Sequence, residues 1–138
     1  MERAVIFEFL TMQYKNNPLN IRSTSSKWLG KIGSRNGFCE FVDIPHGIRC
    51  GLYLITRTYK KRGWLSIDDI IYHWAPPSDG NDTAHYLWFV TRRCGLRGDD
   101  HFVNLPLIQQ YDVINQMCII ETGYRLSYDE FCAALRLL

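Results

Sequence analysis

The chain has 138 residues, 46% of them hydrophobic and 14% aromatic. That length supports one domain with a real core, and that composition excludes a disordered chain. Sixteen Lys and Arg oppose fourteen Asp and Glu, a formal net charge of +2 that is too small to point to nucleic acid.

In chain order, "MERAVIFEFLTMQY" carries an acidic residue at position 2 and only short apolar pieces. It reads as neither a signal peptide nor a membrane span. Residues 2 to 13 suit a short helix or a strand. "KNNPLNIRSTSS" (15 to 26) is polar and holds a proline, so it reads as loop. "KWLGKIGSRNGFCEFVD" (27 to 43) mixes glycines with Trp28, Phe38 and Phe41 and reads as one or two short strands in an extended lobe.

Pro45 suits the first turn of a helix whose apolar face is Ile48, Leu52, Ile55 and Tyr59, ending near Arg62-Gly63. Ser66 and Asp69 resemble a capping box, ahead of the i, i+3, i+4, i+7 face of Ile67, Ile70, Ile71 and Trp74. Pro76 and Pro77 stop that helix. Asp82 or Asn81 caps the next, in which Leu87, Val90 and Cys94 align until Gly95. Asn104 is the expected cap of a helix that runs to Glu121 and stops at Gly123. Ser127 with Glu130 is a full capping box for a last helix with face Tyr128, Phe131, Cys132 and Leu135. The sum is a mainly α (α+β) protein of about five helices with a small extended lobe. The connections are too short for separate domains, so residues 1 to 138 read as one domain.

Three constellations bear on chemistry. Ile114, Met117, Cys118 and Glu121 are spaced i, i+3, i+4 and i+7, which sets a carboxylate on an apolar stripe at a helix end. The negative end of the helix dipole and an apolar setting both disfavour its ionised form. A carboxyl protonated near neutral pH is what a general acid for glycoside cleavage needs. The structural alternative is a Glu that reaches solvent or pairs with Arg125. The second constellation is "WAPPSDGNDTAHY", in which Trp74, Asp79, Asn81, Asp82, Thr83, His85 and Tyr86 gather aromatics and polar groups around a double proline. Such a mixture suits the apolar faces and hydroxyl edges of sugars, and equally an ordinary capped corner. The third is "NNPLNIRS", where asparagines close turns through the local backbone and Arg22 is able to hold a carboxylate.

The five cysteines form no CxxC pair, and an odd number cannot pair fully within one chain. They read as free buried thiols in a reducing compartment. His46, His73, His85 and His101 are scattered and no HExxH occurs, so no metal is expected. No GxGxxG or Walker pattern supports a nucleotide, and no cofactor is expected.

Taken in order, these pieces resemble a phage and prophage family of virion structural proteins. The resemblance rests on Asn16-Asn17-Pro18-Leu19-Asn20-Ile21-Arg22, Trp28-Leu29-Gly30, Phe38-Cys39-Glu40-Phe41 and Gly47-Ile48-Arg49-Cys50. It continues through Ile71-Tyr72-His73-Trp74-Ala75-Pro76-Pro77 with Asn81-Asp82-Thr83 and Tyr86, and ends at Glu121-Thr122-Gly123. Leu19 stands where the family pattern has glycine, and Gly80 where it often has an acid. The order of the pieces is also similar to a circularly permuted lysozyme-like murein hydrolase. The resemblance implies a lysozyme-like domain that cleaves peptidoglycan glycan strands with Glu121 as general acid. Asn17, Asn20, Arg22, Trp74, Asn81, Asp82, Thr83 and Tyr86 would then bind substrate. Asp82, Asp79 and Glu40 are candidates for a second carboxylate, which a lytic transglycosylase would not need. The implied partners are peptidoglycan strands and phage virion or secretion-apparatus proteins. The implied route is synthesis in the cytoplasm and delivery to the periplasm or cell wall. The alternative is a non-enzymatic virion or secretion component that binds glycan or a partner protein.

Overall fold

A computed structural model describes residues 12–138. The reading of residues 2 to 13 as helix or strand therefore lies almost wholly outside the described residues. The described chain is mainly helical, with five α-helices and a small two-stranded sheet. It divides into two compact units. One takes the described residues up to Tyr53 together with Met117–Leu138, and the other is Leu54–Gln116.

The first unit begins with the asparagine loop and a hairpin. Asn36 and Gly37 both have positive φ, 52° and 84°, the pair that a tight two-residue hairpin turn requires. Strand β1 (Lys31–Arg35) therefore folds back on β2 (Phe38–Phe41), pairing Arg35 with Phe38 and Lys31 with Phe41 across an irregularity between Lys31 and Gly33. Alternation in β2 sends Cys39 and Phe41 fully inward. Helix α1 (Ile44–Tyr53) packs on β2, and its Ile48, Cys50 and Leu52 are inaccessible to solvent. Helix α5 (Tyr128–Leu137) lies against α1 and contributes Phe131 and Ala134 to the same core.

The Ser127–Glu130 capping box is present in both directions, at 3.1 and 2.9 Å. The buried centre of α5 is Phe131 and Ala134, however, and Tyr128 is 39% exposed. The buried side of α5 is thus shifted from the expected Tyr128, Phe131, Cys132 and Leu135 stripe to Phe131 and Ala134.

In the second unit, the helical run after α1 continues as a π-helical segment, Leu54–Tyr59, and stops at Gly63 with φ 78°. Ile55 and the expected periodicity survive this insertion, and Ile55 is buried. Helix α2 (Ile67–Trp74) starts where expected, with the Ser66 hydroxyl accepting from the Asp69 N–H at 3.1 Å. Ile67, Ile70 and Ile71 fill its buried face, and His73 stacks flat on Trp64 with ring centroids 3.4 Å apart. Helix α3 (Thr83–Cys94) buries Thr83, Tyr86, Val90 and Cys94, and packs on α2. It ends at Gly95, whose φ of 63° supplies the left-handed cap.

The fourth helix, α4 (Leu107–Thr122), corrects one expectation. Asn104 does not cap it but closes a 3₁₀ turn, Phe102–Asn104. Pro106 holds Leu105 in extended backbone (φ −73°, ψ 148°), so the α-helix cannot begin earlier. Its distal half is not a stripe: Val113, Ile114, Met117, Cys118, Ile119 and Ile120 are all buried, the mark of a helix covered nearly all round. Among the described residues, no helix is long and apolar enough to cross a membrane.

The fold orders the thiols. Cys39, Cys50, Cys94 and Cys118 are buried and free, and burial pushes each thiol up, Cys94 to about 12. Cys132 is half-buried. Since the thiolate is the reacting form, Cys132 is expected to react first with a chromogenic disulfide. The other four should wait for unfolding, which a time course with peptide mapping checks.

Candidate functional site

The asparagine loop is built by its own side chains. Asn16 and Asn20 take left-handed backbone, φ 54° and 53°, a conformation that asparagine tolerates better than most residues. Asn17 lies between them with no exposed surface. Its Oδ1 accepts from the Ile21 N–H at 2.9 Å, while its Nδ2 donates to the carbonyls of Ile21 and Cys39 at 3.0 and 2.9 Å. The Asn16 amide donates to the Phe41 carbonyl at 3.0 Å. Main-chain bonds from Cys39 N–H to Ile21 and from Phe41 N–H to Lys15 complete the seam, so the loop is held along β2.

Leu19 is 1% exposed, and its side chain adds to the core. Glu40 accepts the Lys15 N–H at 2.9 Å and lies 3.5 Å from Arg35. The Lys15 bond, aided by Arg35, holds the Glu40 carboxyl below its ordinary range.

The same loop grips the end of α4. Asn20 Nδ2 donates to the Glu121 carbonyl at 3.1 Å. The Thr122 hydroxyl donates to the Pro18 carbonyl at 2.9 Å, and Thr122 is 3% exposed. Gly123, with φ 73°, then turns the chain away. These bonds span about a hundred residues of sequence. The Asn20 bond gives the Glu121 carbonyl a partner that a helix C-terminus otherwise lacks, and the Thr122 bond ties the helix end to the loop's own Pro18 carbonyl. Glu121 is half-buried beside the buried Cys118, whose thiol is raised by burial first and by the nearby Glu121 carboxylate second. The structure thus joins Asn17, Asn20 and Glu121 in one assembly. Arg22 is exposed and sits over the Phe38 ring at 5.3 Å, bridging the loop to β2.

The double-proline corner is a separate assembly within the second unit. Thr83 Oγ1 donates to the Ala75 carbonyl at 2.5 Å, and the Asn81 amide donates to the Pro76 carbonyl at 3.1 Å. Asp82 caps α3 by accepting the His85 N–H at 3.1 Å. Trp74 is half-buried, edge-on to Tyr59 at 6.4 Å, and Tyr86 is 5% exposed. An open recess of about 420 Å³ between α2 and α3 is lined by Asp68, Asp69, Tyr72, Pro77, Thr83, Ala84 and Leu87. Of the expected binding residues, Thr83 alone lines it.

Sequence reading missed Thr122, Asn16 and Glu40 as members of the loop assembly. The signal for Thr122 was present: a polar residue four positions after Cys118, inside a run buried on every side. No group of three His, Cys, Asp or Glu residues able to hold a metal occurs among the described residues.

The fold and this junction define a mainly helical protein in which an asparagine loop is sewn to a small sheet and to a buried helix end. No known protein-family profile matches the chain. The chain is 41% identical over 87 residues to Protein P5 of Pseudoalteromonas phage PM2, which covers 59% of this chain and 53% of that protein. The chain therefore spans about half the length of the curated relative it matches.

Proposed function

We propose that this chain is a phage or prophage virion component. The observation that carries the reading is its 41% identity to a phage protein. The test is a nonsense codon in its reading frame. A lowered infectious titre, restored by supplying the wild-type chain, is the expected result. An unchanged titre would count against the reading.

A second reading is favoured by one contact. Asn20 bonds the backbone of Glu121, so the asparagine loop and the candidate general acid share one rigid junction. Glu121 is half-buried at the end of α4. Held so, Glu121 would protonate a glycosidic oxygen of a peptidoglycan strand, after delivery of the protein to the cell wall. Purified cell walls are expected to clear with wild type and to persist with Glu121→Gln. Equal clearing by both would remove Glu121 from the mechanism. Clearing by neither, on every murein type, would leave the non-enzymatic virion role alone.

A further inference from the structure

The formal charge of +2 is not spread evenly. Residues 44 to 67 hold five cations, Arg49, Arg57, Lys60, Lys61 and Arg62, and no Asp or Glu. The rest of the chain holds eleven Lys and Arg against fourteen Asp and Glu. Four of the five cations fall within residues 57 to 62, and all four are exposed. They sit where the helical run beyond α1 ends. The π-helical segment Leu54–Tyr59 leads into that end, and such insertions are frequent at functional sites. The N–H groups of Arg62 and Trp64 both donate to the Tyr59 carbonyl at 3.0 Å, and that of Gly63 donates to the Lys60 carbonyl at 3.0 Å. With Gly63 at φ 78°, the turn fixes the backbone of three consecutive cations. A helix C-terminus favours a cation, but three in a row also repel one another. None of Lys60, Lys61 and Arg62 makes a salt bridge among the described residues.

The neighbouring rings decide the kind of anion. Trp64 is half-buried, and its ring is engaged within the protein. His73 stacks on it at 3.4 Å, Tyr59 meets it edge-on at 5.2 Å, and the Arg62 guanidinium lies over it at 5.2 Å. A ring held in this way is not offered to an unpaired base, so the stacking on which single-stranded nucleic acid relies is missing. Nor is it offered to a bilayer, and no large hydrophobic side chain between Val42 and Tyr72 is exposed. Basic surfaces that lie on membranes add apolar or aromatic side chains that insert. What this turn presents is a set of charges on flexible stems. Such a set suits the regularly spaced phosphates of a duplex and reads no sequence.

We propose that Lys60, Lys61 and Arg62 bind the phosphate backbone of a nucleic-acid duplex, without regard to its sequence. The surface uses none of the residues assigned to glycoside cleavage and does not draw on the likeness to a phage protein. It therefore stands apart from both readings above.

The test is fluorescence anisotropy of a dye-labelled DNA duplex titrated with the full-length chain at several salt concentrations. Saturable binding at low salt is expected. Three phosphate contacts predict that affinity falls about twentyfold as salt rises threefold. Replacing Lys60, Lys61 and Arg62 together by Gln should weaken binding at low salt at least about tenfold and flatten the salt dependence, with a melting temperature near that of wild type. Lys60→Arg, Lys61→Arg and Arg62→Lys, combined, keep the charge and should keep the binding. Arg92→Gln, Arg93→Gln and Arg97→Gln, combined, remove the same charge from another exposed stretch and should bind as wild type does. No saturable binding at low salt would overturn the proposal, as would unaltered binding by the first glutamine triple or equal losses in both. Binding to phosphatidylglycerol vesicles in preference to the duplex would overturn the choice of nucleic acid. Tighter binding of the single strand would overturn the choice of a duplex.

Discussion

Asn17→Ala is expected to destabilise the protein by about 4 kcal/mol. Asn17 makes three hydrogen bonds from a position with no solvent exposure. Truncation strands the Ile21 N–H and the Cys39 carbonyl, while the Ile21 carbonyl keeps its bond from the Cys39 N–H. Each buried group stranded in this way costs about 1–3 kcal/mol, and the lost side-chain volume adds a cavity term. The Asn17→Asp variant separates these effects. It keeps the volume and the bond to Ile21 N–H, but turns a carboxylate oxygen toward the two carbonyls. It should therefore be no more stable than the alanine variant. Urea unfolding of both, with an unchanged slope, gives the cost directly. A loss under about 1 kcal/mol would mean that the loop is not held by Asn17.

Gly47→Ala is expected to cost about 3 kcal/mol, by overpacking rather than by a lost bond. A Cβ on Gly47 would overlap the carbonyl oxygen of Asn16 and crowd the Phe41 ring. The obstacle is backbone held by the Asn16–Phe41 and Asn17 bonds, so it cannot swing aside as a flexible side chain would. The substitution must either shift α1 or lift the loop from β2. The two variants act on one loop, so their effects should not add: once Asn17 is truncated, the loop moves more easily and Gly47→Ala costs less. A double-mutant cycle measures that coupling. Strict additivity would show that the loop and α1 are independent.

The helices were legible because their signals are local. Ser66, Asp82, Gly95 and the Ser127–Glu130 box each mark an end by chemistry that acts over three or four residues. Asn36-Gly37 held an equally local hairpin signal, but the reading stopped at one or two short strands. The cap at Asn104 failed because Pro106, two residues on, constrains Leu105 more strongly than an asparagine side chain favours a helix start. The π-helical segment Leu54–Tyr59 was hidden, since one inserted residue barely disturbs an apolar periodicity.

The junction at Glu121 was legible in part. The apolar run pointed to a carboxylate in an unusual place, and Asn20 was singled out, but their contact lies 101 residues apart in sequence. No periodicity records such a contact. Asn17 was singled out for a sugar cleft, and its amide is spent wholly on main chain. Burial decides between those uses, and burial is a property of the fold. The same holds for Thr83, Asn81 and Asp82, whose polar groups bind the corner's own backbone.

The central claim, that the chain belongs to a phage particle, is tested most directly by following it through particle purification. Particles from the genome that encodes it are banded in a density gradient, and each fraction is analysed by peptide mass spectrometry. The account predicts that the chain bands with the capsid protein at a constant ratio and stays with it after a salt wash. A chain found only in the soluble lysate, with none in the particle band, would contradict it.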